Sequence, residues 1–225
     1  MLRLITDFDG PIMDISERYY QTYKFCLEQT KLPNQEVREL TKSEFWIYKR
    51  ARTPETKIGI ISGLNPEQGV EFAKLRQATA HTMPYFGHDQ VVPGAIASLK
   101  KFQAAGVDLA VVTLRRVKEL NYAFEQYPEL GKLFPENRRY CLSNDYVKTT
   151  DVIDKPILMQ KVVAELPPVE QVWMIGDTEA DIIAAQKYSI TAVGVLSGIR
   201  DRQQLETYHP DLIVDRLTDL ANLIL

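Results

Sequence analysis

After Pro93 and Gly94 the sequence alternates short apolar runs with segments whose apolar residues recur at helical spacing. This alternation restricts the fold more than any other feature of the chain. We interpret five runs as strands, over residues 107–112, 140–142, 172–175, 191–196 and, as an edge strand, 212–214. Strands that alternate with amphipathic helices form a parallel sheet covered on both faces. The sequence therefore predicts an α/β fold with a doubly wound, Rossmann-like parallel sheet.

The helices between these strands have recognisable apolar faces. Asp154 is expected to cap a helix that begins at Pro156, because aspartate accepts from free amides and proline suits the first helical position. A further helix is expected over residues 177–187. The other apolar faces are formed by Ile96, Leu99 and Phe102, and by Val117, Leu120 and Phe124.

A helical stretch interrupts the pattern after the first strand. The first strand is predicted by the short run at Leu2, Leu4 and Ile5. Residues 15–87 contain no comparable run, and Asn65 and Gln68 suit the capping box of a helix within them. We therefore expect a catalytic α/β core over residues 1–14 and 88–225, and a small helical cap domain over 15–87. Two further helices are predicted by Ile15, Tyr19, Tyr23 and Cys26, and by Val37, Leu40, Ile47 and Ala51.

The composition is ordinary for a globular protein, with 45% hydrophobic and 25% charged residues among 225. A net charge of −3 gives no reason to expect nucleic acid or a membrane as a partner. No apolar run approaches the roughly 20 residues that span a bilayer, and we expect no signal peptide. Cys26 and Cys141 match no metal-binding spacing. We therefore expect a cytoplasmic protein, monomeric or homodimeric, with reduced cysteines.

Polar side chains follow several of the predicted strands. Asp7 and Asp9 follow the first strand, Thr113 follows the second, and Asp177 follows the strand at 172–175. In doubly wound sheets, ligands bind outside the carboxyl ends of the strands, near the point where the strand order reverses. These side chains are therefore expected to meet at one edge of the sheet.

The segment Asp7-Phe8-Asp9-Gly10 places two carboxylates two residues apart. In an extended backbone both side chains point to the same face, and Gly10 then allows the chain to turn away. One carboxylate can act as a nucleophile and the other as a general acid or base. A plain turn rich in aspartate and glycine is the alternative interpretation of this pair.

A second acidic cluster consists of Asp177 and Asp181, which a continuous helix would place on one face. Two carboxylates that converge on two more suit Mg²⁺, which prefers oxygen ligands. The alternative is that these acids only complement a helix N-terminus. Thr113 offers a hydroxyl to a phosphate, and Lys155 offers a compact cation.

The four elements occur along the chain in the order Asp-x-Asp, Thr, Lys and Gly-Asp-x-x-x-Asp. With these elements in this order, the sequence resembles the haloacid dehalogenase-like (HAD) superfamily. The resemblance is to its phosphatases with a helical cap after the first motif, and it covers nearly the whole chain. It implies that Asp7 is the nucleophile and that Asp9 is first general acid and then general base. It also implies that Mg²⁺ is held by Asp7, the backbone carbonyl of Asp9 and Asp177, with Asp181 acting on the metal through water or by supporting its direct ligands. Thr113 and Lys155 would bind the transferred phosphoryl group.

Two positions depart from the family pattern. Pro11 replaces the usual threonine after Gly10, and Leu114 replaces the asparagine that often follows the second motif. Neither departure removes a catalytic group. The expected substrate is a small phosphorylated metabolite, contacted by Gly10, Leu114 and Arg115 in the core and by Arg50 and Lys57 in the cap. For Arg115 a surface role is the alternative, and for the two cap residues the alternative is a solvated helix face.

The resemblance leaves the reaction partly open. The presence of Asp9 favours phosphoryl transfer over dehalogenation, because carbon–halogen cleavage needs no proton on a leaving oxygen. A phosphomutase of the β-phosphoglucomutase type shares all four motifs and a similar cap. A non-catalytic binding module built on the same scaffold is the other alternative. The sequence therefore predicts a phosphoric monoester hydrolase that acts through an aspartyl-phosphate intermediate.

Overall fold

A computed structural model describes all residues from Met1 to Leu225. The chain divides into two compact units. The larger comprises Met1–Asp14 and Val91–Leu225, and the smaller is the continuous segment Ile15–Gln90. None of the helices is both long enough and apolar enough to cross a membrane.

The larger unit contains a six-stranded parallel sheet, which confirms the predicted fold class. Its strand order is β5-β4-β1-β6-β7-β8, so the order reverses at β1. Leu4 and Ile5 of β1 are fully buried, because this strand is flanked on both sides by others and covered on both faces. A second sheet contains only β2 and β3. The strands are β1 (Leu2–Thr6), β2 (Met13–Asp14), β3 (Gln90–Val91), β4 (Asp108–Arg116), β5 (Arg139–Leu142), β6 (Gln171–Gly176), β7 (Thr191–Val195) and β8 (Leu212–Val214).

The smaller unit is helical. At its core the Tyr23 ring stacks on Phe45 with a centroid distance of 4.8 Å, and the Tyr23 hydroxyl lies 2.9 Å from Ser62 Oγ. The predicted capping box at Asn65 and Gln68 is confirmed, with both reciprocal hydrogen bonds at 2.8 and 2.9 Å. The helices are α1 (Ser16–Thr30), α2 (Lys42–Arg50), α3 (Glu55–Ile61), α4 (Pro66–Thr79) and α5 (Met83–Phe86).

Seven helices accompany the six-stranded sheet. The helix Asp151–Glu165 packs against the sheet through Leu158, Met159 and Val162, which belong to the main buried apolar cluster. The edge position predicted for residues 212–214 is confirmed by β8. The helices are α6 (Ala95–Ala104), α7 (Val117–Gln126), α8 (Pro128–Leu133), α9 (Asp151–Glu165), α10 (Glu179–Lys187), α11 (Arg202–Glu206) and α12 (Leu217–Ile224).

Two predicted helix starts are wrong. Helix α9 begins at Asp151, and Pro156 lies inside it. Asp154 is not its cap, because its carboxylate instead accepts from the amide and hydroxyl of Thr149 at 2.9 and 2.8 Å. Val37 and Leu40 lie outside α2, since Thr41 begins that helix with a capping box to Glu44.

Two further boundaries differ from the prediction. Strand β4 continues through Thr113 to Arg116, although its register with β5 shifts after Val112. Helix α10 begins only at Glu179, because Thr178 has an extended backbone and forms a capping box with Asp181. Asp177 therefore precedes the helix, and its proximity to Asp181 does not come from one helical face.

Candidate active site

Three neighbouring strands carry acidic or hydroxyl side chains at their carboxyl ends. Asp7 directly follows β1, Asp177 directly follows β6, and Thr113 lies in the last half of β4. The Asp7 amide donates to the Ile175 carbonyl at 2.8 Å, so Asp7 remains in register with β6. Because the strand order reverses at β1, these residues surround the crevice in which doubly wound sheets bind ligands.

A buried carboxylate cluster occupies this edge of the sheet. Asp7, Asp177 and Asp181 each contribute an oxygen, and the three oxygens lie within 4.8 Å of one another. Lys155, on α9, places Nζ 2.8 Å from Asp7 Oδ1 and 2.8 Å from Asp181 Oδ1. Its side chain is only 2% exposed. Three carboxylates around one ammonium leave an excess of negative charge, which suits a divalent cation.

Three glycines bring bare backbone against these carboxylates. A Cβ at Gly10 would lie 2.4 Å from Asp177 Cγ, and one at Gly198 would lie 1.9 Å from Asp177 Oδ2. A Cβ at Gly176 would lie 2.1 Å from Asp181 Cγ. Gly10 also has φ of +94°, which other residues rarely adopt. Any side chain at these positions would displace a carboxylate of the cluster.

Backbone donors fix the orientation of two of the carboxylates. Asp177 Oδ2 accepts from the Ile199 amide at 2.7 Å. Asp181 Oδ2 accepts from the amide and hydroxyl of Thr178 at 3.1 and 2.8 Å, which closes the capping box of α10. In each residue the Oδ2 atom is thus bound by a backbone amide. An oxygen donor set held in this way fits Mg²⁺, for which the sequence analysis selected the same residues.

The loop after β7 was missed by the sequence analysis. Its Ile199 amide binds Asp177, and its Ser197 hydroxyl donates to the Gly10 carbonyl at 2.8 Å. The available signal was the Ser-Gly pair that directly follows the predicted strand at 191–196, since loops at that end of the sheet line the ligand crevice.

Burial and mutual repulsion shift the pKa values in the metal-free cluster. Burial, followed by the charge of Asp181, raises the pKa of Asp177 to about 7, although the Ile199 amide opposes the shift. Burial also raises the pKa of Asp7 well above its ordinary value; the charge of Lys155 opposes this shift, and the charges of Asp181 and Asp177 add to it. Burial lowers the pKa of Lys155, but the charges of Asp181 and Asp7 outweigh it, so Lys155 remains an ammonium.

We expect the metal-free protein to lose stability as the pH rises. The pKa of Asp177 is about 7 in the folded protein, against 3.8 ordinarily. The contribution of Asp177 to the free energy of unfolding is therefore fully present below about pH 4 and is lost as the pH rises through 7. Between pH 5.5 and pH 8 the loss is roughly 2 kcal/mol, since about 1.5 pH units lie between pH 5.5 and the pKa and each corresponds to about 1.4 kcal/mol. Urea unfolding with a chelator at pH 5.5 and 8 measures it.

The Asp177→Asn variant is the control for this pH dependence. It removes the titrating group at the same position, so its urea midpoint is expected to fall less between the two pH values. A wild-type midpoint that stays constant or rises toward pH 8 would contradict the buried, repelling cluster.

Asp9 lies beside the cluster, and its side chain is 25% exposed. Its Oδ1 accepts from Arg115 Nε at 2.9 Å and from Arg115 Nη2 at 2.6 Å. The buried Thr113 accepts from the Arg115 amide at 3.2 Å through Oγ1. Leu114 is half-buried and packs against the main apolar cluster of the sheet. Asp9, Thr113 and Arg115 are thus brought together on the β1 and β4 side of the site.

The remaining predicted substrate residues belong to the smaller unit. Arg50 is the last residue of α2 and is half-buried, whereas Lys57 is exposed on α3. Their neighbour Lys49 is paired with Glu55 at 2.5 Å. Contact of Arg50 and Lys57 with a substrate remains a prediction.

Known proteins resemble this chain in sequence and fold. A family model described as HAD-hydrolase-like matches residues 153–220, which include Lys155, Asp177 and Asp181. The pyrophosphatase PpaX of Bacillus velezensis is 24% identical over 223 residues, covering 98% of this chain and 94% of that protein. A phosphoglycolate phosphatase of Vibrio vulnificus is 25% identical over 173 residues, covering 72% of this chain and 70% of that protein.

The fold is also shared with solved structures. A haloacid dehalogenase-like family hydrolase from Streptococcus pneumoniae aligns with a TM-score of 0.70 and 17% identity. The alignment covers 99% of this chain and 98% of that one. At this level of identity the likeness shows the fold alone.

Proposed function

We propose that this chain, a member of the haloacid dehalogenase-like hydrolases, is a Mg²⁺-dependent phosphatase that forms an aspartyl-phosphate at Asp7. The observation that supports this proposal is the buried cluster of Asp7, Asp177, Asp181 and Lys155 at the point where the strand order reverses. A buried cluster of charges is weak evidence for a role in stability, because the free energy needed to desolvate the ions commonly exceeds the free energy of their mutual attraction.

Asp7 is the proposed nucleophile. Its Oδ1 accepts from the Phe8 amide at 2.6 Å and from Lys155 at 2.8 Å, so the carboxylate is held in one orientation. In the first step a carboxylate oxygen forms a bond to phosphorus, and the bond from phosphorus to the leaving oxygen breaks. In the second step water attacks phosphorus, the bond to Asp7 breaks, and inorganic phosphate is released.

The other residues manage protons and charge. Asp9 gives a proton to the leaving oxygen in the first step and takes one from water in the second. Lys155 and Thr113 contact the transferred phosphoryl group and stabilise its negative charge. The cation would be held by Asp7, Asp177, Asp181 and the carbonyl of Asp9. When bound, Mg²⁺ would neutralise the repulsion between the carboxylates and the phosphate.

The substrate is proposed to be a small phosphate ester or anhydride. Relatives named pyrophosphatase and phosphoglycolate phosphatase make pyrophosphate and phosphoglycolate the first candidates, with sugar phosphates next. The helical unit Ile15–Gln90 is proposed to act as a cap that excludes water during the reaction. Arg50 and Lys57 are the residues of that unit proposed to contact the substrate.

The test is release of inorganic phosphate from a panel of phosphoglycolate, sugar phosphates, pyrophosphate and 4-nitrophenyl phosphate. We expect release with Mg²⁺ and none after treatment with a chelator, with recovery when Mg²⁺ is added back. The ranking of the panel identifies the substrate class. Metal binding without release from any compound would contradict a phosphatase and favour a binding module. Isomerisation of a sugar phosphate without release would favour a phosphomutase.

Asp9→Asn is expected to slow cleavage most for esters with poor leaving groups. Asparagine keeps the shape of the side chain but cannot deliver the proton, and general acid catalysis contributes about 10²–10⁴-fold. Phenyl phosphate should therefore lose on the order of ten times more rate than 4-nitrophenyl phosphate, whose leaving group needs little help. Equal losses for both esters would argue against Asp9 as the general acid.

A further inference from the structure

We propose that Arg115 is a positioning residue that fixes the Asp9 carboxylate for its work at the leaving oxygen. This inference rests on the proposed function and adds a residue to it. The guanidinium donates to Asp9 Oδ1 through two nitrogens, at 2.9 and 2.6 Å. Because the two donor nitrogens belong to one rigid, planar group, they fix the position of this oxygen more tightly than a single donor would.

The guanidinium is itself held in place on several sides. Its Cζ lies 4.9 Å from the centroid of the Phe8 ring, close enough for a cation–π contact. Phe8 is fully buried, and its ring packs edge-on against Phe124 at 5.8 Å. The Arg115 backbone belongs to β4, and its amide donates to Thr113. The Arg115 side chain, only 3% exposed, thus connects Asp9 to a rigid part of the core.

Support from Arg115 suits the partly exposed position of Asp9 at the edge of the sheet. It follows β1 and precedes Gly10, whose positive φ turns the chain away from the sheet. A quarter of its side chain is exposed, whereas Asp7 is held by Lys155 and the Phe8 amide. A catalytic carboxylate that can rotate spends less time aimed at the leaving oxygen, and a misplacement of about 1 Å can cost on the order of 10²-fold in rate.

The next residue supplies a matched comparison. Arg116 is also an arginine of β4, but neighbouring strand residues point to opposite faces. Its guanidinium donates to the backbone carbonyl of Tyr146 at 2.9 Å. Arg116→Met therefore removes an arginine from the same strand but leaves the contact between Arg115 and Asp9 in place.

The experiment compares Arg115→Met, Arg115→Lys and Arg116→Met with 4-nitrophenyl and phenyl phosphate. We expect Arg115→Met to lower kcat for phenyl phosphate about 10–100-fold and to change KM less than about threefold, since it disturbs orientation rather than binding. The loss should be smaller for 4-nitrophenyl phosphate. Arg115→Lys should recover part of kcat, and Arg116→Met should stay within about twofold of wild type.

A double-mutant cycle decides whether Arg115 acts through Asp9. In the Asp9→Asn background, Arg115→Met is expected to lower kcat less than about threefold, because the group that it positions no longer acts. An equal loss in both backgrounds, or an effect mainly on KM, would overturn the proposal and indicate direct contact with the substrate. If Arg115→Met does not fold, the same cycle with Arg115→Lys decides the question.

The two proposals fail in different ways. A wild-type protein that releases no phosphate from any compound would refute the phosphatase function itself. If the wild-type protein is active but the effects of the Arg115 and Asp9 substitutions on kcat are additive, only the positioning role is refuted. Urea midpoints of all variants, measured with Mg²⁺ present, separate loss of folded protein from loss of rate.

Discussion

Asp7→Asn is expected to reduce phosphate release by at least about 10⁴-fold, since loss of a nucleophile costs about 10⁶ in a well-studied hydrolase. The amide has nearly the shape of the carboxylate but cannot form the covalent intermediate. It also cannot act as an anionic ligand beside Asp177 and Asp181. Asp177 and Asp181 are not expected to replace it, because the Ile199 amide fixes Asp177 and the Thr178 amide fixes Asp181 at their own positions in the cluster.

The fold is expected to survive this change. Burial raises the pKa of Asp7 well above its ordinary value, so the ionised side chain costs free energy in the metal-free protein. Asparagine removes that charge, and Lys155 keeps Asp181 as an ion-pair partner at 2.8 Å. The urea midpoint of metal-free Asp7→Asn at pH 8 should therefore equal or exceed that of wild type.

The measurement is initial phosphate release at saturating Mg²⁺, beside circular dichroism of both proteins. Asp145→Asn serves as the control, because it makes the same chemical change at an exposed aspartate that is not part of the cluster. It should retain wild-type activity. Turnover by Asp7→Asn within about 100-fold of wild type would exclude Asp7 as the nucleophile.

Lys155→Met is expected to lower both activity and stability. The methionine fills similar space but leaves Asp7 and Asp181 without their shared cation. Removal of one partner from a buried ion pair costs about 3–5 kcal/mol, because the remaining charge is buried without compensation. The loss of a donor to the phosphoryl group should reduce kcat on the order of 10²–10³-fold.

Lys148→Met is the matched control for this variant. Lys148 Nζ lies 2.8 Å from a carboxylate oxygen of Asp151, the first residue of α9. Unlike Lys155, the Lys148 side chain is 38% exposed. Such surface pairs contribute about 0–1 kcal/mol, so its urea midpoint and activity should remain near those of wild type. Equal destabilisation by the two substitutions would show that Lys155 has no special role at the cluster.

Strand ends were the part of the site that could be predicted from the sequence. Asp7 and Asp177 follow runs of apolar residues, and parallel strands bring such positions to one edge of a sheet. The helix boundaries were less accessible. Pro156 resembles a helix start because proline suits a first turn, yet the chain forms the helix five residues earlier. Packing of Leu158, Met159 and Val162 against the sheet outweighs the missing amide.

Contacts between distant side chains lay beyond the sequence. No spacing rule brings Arg115 to Asp9, because the contact depends on the pairing of β1 with β4 and on the direction of one long side chain. The amide of Ile199 is equally hidden, since any residue could supply it. The order of the motifs indicated the family and the roles of the residues within those motifs, but Arg115 and Ile199 lie outside them.

The strand order has a consequence for folding while the protein is synthesised on the ribosome. Strand β1 pairs with β4 about 105 residues later and with β6 about 169 residues later. The first acidic residues therefore leave the exit tunnel long before the strands that bury them. Contacts between such distant segments form slowly, because a long loop must close first. The continuous segment Ile15–Gln90 emerges whole in the meantime. Assembly of the charged centre is thus one of the last events in the maturation of this chain.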